Sequence, residues 1–299
     1  MSAMIIEAVK KAFDLTDAAK STLSALKEGK NSQDQLDLLG YLFAFAVKDG
    51  AVQQSSQFDR LYDVFDQVSN YKKETDGGPT AQSGALPTNE VIFFCDYSRM
   101  NENKDCFGND KEGYACDTVT KRVVKISPMY QLCKYGTVTI DGHTETSEYL
   151  LCQPAMINFL DSVDKYWTDA AKDGRVAKTP LSINNPLLDS TDTVPMDRAA
   201  LLDMGVLHEM THTVKDDTED VSVEDDEGEV TIGSYGWNNC VKLSEYSDDL
   251  SKVDGWIASY MNADSYGYFG LGSQLINGNA EESCPPQRPQ KDGSVVLIG

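Results

Sequence analysis

Apolar positions return at intervals of three and four through the first eighty residues, the period of a helix with one buried face. The run "AMIIEAVKKAFDLTDAAKSTLSAL" is amphipathic in this sense, "SQDQLDLLGYLFAFAV" opens on a serine suited to capping, and "SQFDRLYDVFDQVSNY" repeats the spacing. Together they predict an N-terminal helical segment over residues 1–80. The stretch 74–90, "ETDGGPTAQSGALPTNE", is rich in Gly, Pro, Ser and Thr and predicts a linker or long loop.

Beyond residue 90 the period shortens to two. "EVIFFCDY", "YACDTVTKRVVKIS" and "CKYGTVTIDGHTETSEYLLC" predict strands, with "IDGH" as a hairpin turn in which Gly142 takes a positive φ. Helical spacing returns at "PAMINFLDSVDKYW", where Pro154 stands near the start, and in one helix from Pro195 through Val214. It returns again at "GWNNCVKLSEY" and "ADSYGYFGLGSQLI", whereas the tail 286–299 shows neither period. Helices and strands in separate blocks predict an α+β fold.

The helix predicted from Pro195 carries "DMGVLHEMTHTVKDD". The chain has only three histidines, and two of them, His208 and His212, stand four residues apart on the face that also holds Leu201, Met204 and Gly205. Two imidazoles so spaced can meet one metal ion, and Glu209 projects to the side where a bound water would lie. Zinc suits such a set, because imidazole nitrogen is a good ligand and an open position is left for water. The ion lowers that water's pKa to about 7, and Glu209 is placed to take its proton as general base. A third ligand is required. His143 follows the predicted hairpin turn, where a solvated imidazole is the default, so a carboxylate is expected instead.

Composition narrows the partners. A formal charge of −22 argues against nucleic acid and against anionic membrane surfaces, and would attract cations or basic peptides. No apolar run approaches a membrane span; the longest, "YLFAFAV", suits a buried helix. Seven cysteines form no CxxC zinc pair, and six of them can make three disulfides, which points to an oxidising compartment and a secreted protein. "MSAMIIEAVKKAF" is not an intact signal peptide, so secretion implies a numbering that begins after its removal.

HEMTH followed by "SYGWNNCVKL" and "NADSYGYF" resembles the deuterolysin-type fungal zinc endopeptidases, the aspzincins, which include the peptidyl-Lys metalloendopeptidases. The resemblance implies a zincin-like catalytic domain over 86–285, with a small twisted sheet over the HExxH helix, Zn2+ as cofactor and proteins or peptides as substrates. In that family HExxH is followed by G-T-x-D-x-x-Y-G, whose Asp is the third ligand and whose Tyr assists the oxyanion. Tyr235 and Gly236 match its end, so Tyr235 takes the oxyanion role by resemblance. The Asp position falls on Ile232, which cannot ligate, and Glu229 is the first substitute, with Asp226 and Glu227 as rivals.

The acidic run 215–229 separates the two halves of the pattern and carries nine carboxylates; it reads as a solvated loop, a steering surface for basic substrates, or a calcium site. Asp264 matches a carboxylate that lines the lysine-binding pocket of the lysine-specific relatives, while Gly267 stands where its charged companion falls. A preference for basic P1′ residues follows from the resemblance, without strict lysine specificity. Ile232 also supports a second reading, a secreted binding or effector protein that keeps the scaffold without catalysis. The first eighty residues are open between a prosegment, a partner-binding module and part of the catalytic body.

Overall fold

In the computed structural model the N-terminal run forms α1 (Ser2–Lys27), α2 (Gln33–Leu42) and α3 (Ser56–Ser69). The structure describes residues 2–71, 92–94, 100–118, 123–125, 140–143, 148–151, 194–200, 202–212, 214, 218–225, 227–247, 258–278 and 286–298. The predicted linker 74–90 and the helix at Pro154 lie outside them. Ser32 starts α2 with a reciprocal capping box: its hydroxyl accepts from Gln35 N, and its own N–H donates to Gln35 Oε1 at 2.9 Å. The sequence period would carry this helix on through Val47, but it ends at Leu42. Phe43 leaves the helical region (φ −142°, ψ 62°) to bury its ring against Tyr266 and Phe269, with centroids 5.4 and 5.7 Å away. The next N–H, of Ala44, is taken by Ser244 Oγ at 2.7 Å. A distant partner thus replaces the helix's own ladder. A 3-10 turn (Ala44–Ala46) then leads into the hairpin of β1 (Val47–Lys48) and β2 (Ala51–Val52), turned by Asp49 and Gly50, both at positive φ.

The middle of the chain supplies two small sheets. β3 (Ile92–Phe94) pairs parallel with β8 (Glu148–Leu151), and β7 (Ile140–His143) pairs antiparallel with β8, which lies between the two. Gly142 sits inside β7 opposite Tyr149 and is therefore not the turn that "IDGH" predicted. β4 (Met100–Lys104), β5 (Asp110–Asp117) and β6 (Val123–Lys125) form an antiparallel sheet, clipped by a Cys106–Cys116 disulfide across the β4–β5 hairpin. Cys240 is a buried free thiol, and the other four cysteines lie outside the described residues.

The single helix expected from Pro195 to Val214 is two: α4 (Pro195–Ala199) and α5 (Leu202–Thr211), separated at Ala200, whose backbone is extended (φ −74°, ψ 96°). Buried Asp197 ties α4 elsewhere. Its Oδ2 accepts from Val194 N at 2.9 Å, and its Oδ1 accepts from Trp237 N at 2.7 Å and from the Tyr268 hydroxyl at 2.6 Å. After α5 come the hairpin β9 (Val223–Glu224) and β10 (Val230–Ile232), then α6 (Trp237–Ser247), α7 (Ala258–Met261) and α8 (Ala263–Asn277). β11 (Gln287–Pro289) and β12 (Val295–Leu297) close the chain as an antiparallel hairpin. The tail, which shows neither period in sequence, thus carries a hairpin. Trp237 Nε1 donates to Lys291 O at 3.0 Å and Met196 N to Gly293 O at 3.0 Å, and no alternation of side chains announces either bond.

Mixed helices and small, mainly antiparallel sheets give an α+β class. α8 runs through the centre, buried from Ala263 to Ser273, and packs on α1, α2 and α5. Close approach needs glycine there: a Cβ on Gly267 would meet Met204 Cε at 2.7 Å, and one on Gly270 would meet Leu207 Cδ2 at 2.8 Å. One hydrophobic cluster joins Leu15 and Leu23 of α1, Phe43, Phe65 of α3, Leu207 of α5 and Tyr266 of α8. The boundary expected near residue 80 does not separate two cores: the first 71 residues share theirs with the helices that carry the histidines. No helix among the described residues is long and apolar enough to cross a membrane.

Candidate metal centre

α5 brings His208 and His212 to one side, with Nε2 to Nε2 at 3.3 Å. His212 lies just past the last helical residue, its N–H still bonded to Glu209 O. The chain then doubles back: Thr218 N donates to Thr211 O, and the two threonine hydroxyls meet at 2.7 Å. That reversal delivers Asp220, whose Oδ1 stands 3.2 Å from His208 Nε2 and 3.7 Å from His212 Nε2. Among the described residues, His208, His212 and Asp220 form a group able to hold a metal ion.

The outer hydrogen bonds fix which nitrogens face inward. His212 Nδ1 is 2.8 Å from Thr218 O, a carbonyl that can only accept, so the proton belongs on Nδ1 and the Nε2 lone pair faces the group. His208 Nδ1 is 2.7 Å from Asp264 Oδ1, which favours the same tautomer. Two lone pairs and a carboxylate oxygen then converge with no donor between them. That is an electrostatic deficit a cation fills. Donors about 2.0–2.1 Å from a tetrahedral ion are about 3.3 Å from each other, close to the 3.3 and 3.2 Å separations here, with His212 to Asp220 somewhat wider. The residues present fit a metal ion.

Without an ion, a proton is the alternative occupant. Burial works against a charge on His208, yet Asp220 and Asp264 together raise its pKa well above the ordinary imidazole value. Burial likewise opposes ionisation of Asp220, and the His208 ring outweighs it, with help from Tyr235 and His212, to hold that carboxyl below its usual range. The histidine side chains are 7% and 13% exposed and that of Asp220 is 42% exposed, so the group opens to solvent on the Asp220 side.

Tyr235 completes that side. Its hydroxyl donates to Asp220 Oδ2 at 2.8 Å, and its ring stacks on His208 with centroids 5.9 Å apart. Burial first, then Asp220, raise its pKa, so the phenol stays a donor. Glu209 Oε1 lies 4.0 Å from His208 Nε2 with the Glu209 side chain 14% exposed, on the edge of the group.

Several expected assignments change. Glu229 is not in the group: it is exposed beyond the β9–β10 turn, where its N–H donates to Asp225 Oδ1 at 2.9 Å. Glu227 is exposed on the same turn, and Asp226 lies outside the described residues. Ile232 pairs with Val223 in β10. Asp220 thus lies within the acidic run 215–229, and the remainder of that run, with the β9–β10 hairpin, separates it from Tyr235. Asp264 lies buried behind His208. It is 7% exposed, with Oδ1 committed to His208 and Oδ2 accepting from Gly236 N at 2.8 Å. Gly267 faces Met204 inside the helix packing, where a glutamate would not fit. His143 closes β7 opposite Glu148. Asp220 was missed because no spacing rule separates it from its acidic neighbours.

Comparison of the chain with protein-family models, with curated proteins and with solved structures returns no match.

Proposed function

We propose that this protein is a secreted zinc-dependent endopeptidase of zincin-like architecture, in keeping with the aspzincin resemblance. One observation carries the reading: three acceptor atoms on His208, His212 and Asp220 converge beside the Glu209 carboxylate. Zinc bound there would lower the pKa of a coordinated water to about 7 and polarise a carbonyl. Glu209 would take a proton from the attacking water at its carboxylate and return it to the leaving amine. Tyr235, held as a neutral phenol against Asp220, would turn its hydroxyl to the developing oxyanion. β7 lies beside α5 and is an outer strand of its sheet among the described residues, which suits an extended peptide pairing along it. The Cys106–Cys116 disulfide supports an extracellular setting. The negative charge favours basic peptides over nucleic acid or anionic membranes. The non-catalytic alternative draws on Ile232 at the ligand position, and Asp220 beside the two histidines is what favours the enzyme over it.

The test is zinc content of the purified protein together with casein cleavage with and without a chelator. One zinc per chain, chelator-sensitive cleavage, and a Glu209→Gln variant that keeps its zinc but loses about 100-fold or more in turnover are expected. Unchanged turnover in that variant would refute the mechanism.

A further inference from the structure

Asn262 precedes α8 at the position whose side chain ordinarily caps the helix, and it makes no such cap. The residue is fully buried and its amide is spent elsewhere. Oδ1 accepts from Val221 N at 3.3 Å, and Nδ2 donates to Ser234 O at 3.2 Å and to Ser265 Oγ at 3.1 Å, with Cys240 Sγ at 3.5 Å. The backbone around it joins the same task. Glu219 N donates to Met261 O at 2.7 Å and Ala263 N to Glu219 O at 3.0 Å, a one-rung parallel bridge. Glu219 and Val221 flank Asp220, and Ser234 precedes Tyr235. One side chain therefore grips both segments that feed the outer half of the metal group, although Asp220 and Tyr235 are 15 residues apart with a hairpin between them.

We infer that Asn262 is a positioning residue for the metal centre, fixing the Asp220 segment and the Tyr235 segment in register before any ion arrives. The inference rests on the reading of His208, His212 and Asp220 as a metal site. A planar amide suits the role because it accepts from one segment while donating to the other. Aspartate cannot donate, and serine is too short to reach either segment. Both are good helix caps, so either substitution leaves α8 a start.

The test uses the full chain, freed of metal and titrated with Co2+, whose visible absorption reports the ligand geometry. Asn262→Asp and Asn262→Ser are expected to bind Co2+ about 10–100-fold more weakly, the usual cost of removing an outer-sphere partner, with an altered spectrum. A merely structural asparagine would lower the thermal stability of the metal-free protein and leave spectrum and affinity alone. Folded variants with the wild-type Kd and spectrum would overturn the inference. Should neither variant fold, amide hydrogen exchange of the metal-free wild type decides. Protection of the Glu219 and Val221 N–H groups on a par with the first turn of α8 supports pre-positioning, and free exchange overturns it. A wild type that takes up no Co2+ removes the metal reading, and the exchange measurement still judges Asn262. A wild type that binds Co2+ and cleaves no peptide removes only the peptidase.

Discussion

Replacing Asp264 separates the metal-centre reading from the sequence expectation, because the two give that carboxylate different work. As a pocket residue it would meet a substrate ammonium. In the structure both oxygens are occupied, Oδ1 by His208 Nδ1 at 2.7 Å and Oδ2 by Gly236 N at 2.8 Å. Asp264→Ala strips the acceptor from two buried donors. A buried donor left unsatisfied costs about 1–3 kcal/mol, so the pair costs about 2–6 kcal/mol.

Asp264→Asn is the sharper instrument. If its oxygen stays with Gly236 N–H, its NH2 turns to His208 Nδ1, which must then accept; the ring proton moves to Nε2 and that ligand is lost. If the amide turns the other way, the ring keeps its tautomer and Gly236 N–H is orphaned, at about 1–3 kcal/mol. Loss of the histidine's carboxylate partner costs about 10–100-fold in metal affinity. Zinc Kd, measured by competition with a chromophoric chelator, is therefore expected to rise at least about 10-fold in Asp264→Asn. A zinc Kd equal to wild type, with a raised KM confined to peptides basic at P1′, would refute the outer-sphere role and return Asp264 to the substrate pocket.

Four further outcomes follow from the same geometry. Zinc must displace the proton that Asp220 and Asp264 hold on His208, so affinity is expected to fall as pH drops through the raised pKa, measured by titration at several pH values. In the chelated protein, a folded-state pKa above the unfolded one gives stability that is full below the unfolded value and lost as pH rises through the folded value. Its Tm should decline as pH rises above the ordinary histidine value of about 6.5. A flat or rising Tm there would contradict the shift. Deleting residues 2–27 removes Phe13, Leu15, Leu23 and Leu26, all buried. At about 1.5–3 kcal/mol each they represent about 6–12 kcal/mol, comparable to the whole stability of about 5–15 kcal/mol. The truncated chain should show no cooperative unfolding, and a folded, zinc-binding product would make α1 a dispensable prosegment. Replacing 225–229 with Asn-Gly between Glu224 and Val230 deletes Glu229 and both of its rivals while sparing Asp220. Zinc stoichiometry should stay at wild type, and its loss would restore a ligand to the hairpin.

Local chemistry made much of the helical fold legible. α3 repeats its apolar spacing throughout, and Ser32 starts α2 with a capping box, so both helices begin where the sequence puts them. The errors came where distant groups outbid the local period. α2 stops because Phe43 and Ala44 have better partners near α8 and α6. The helix from Pro195 breaks because Asp197 is bound to Trp237 and Tyr268. The final hairpin hides in sequence because Lys291 and Gly293 are held through their carbonyls, which carry no residue-type signal.

The same division runs through the metal group. His208, Glu209 and His212 are readable because one helical turn fixes their relation, and that relation survives any tertiary setting. Asp220 is not, because its relation to the imidazoles depends on Thr218 folding back onto Thr211 and on Glu219 bridging to Asn262. A fixed three-residue spacing from ligand to Tyr235 would place both on one tight loop. Here the hairpin stretches the separation to 15 residues, yet the Tyr235 hydroxyl still meets Asp220 at 2.8 Å. Strand pairing of β9 with β10 cancels the added length by returning the chain to its starting point. A hairpin that closes on itself in this way brings two residues far apart in sequence side by side in space. Spacing from Tyr235 therefore pointed to Ile232, and only the three-dimensional bridge identifies the carboxylate.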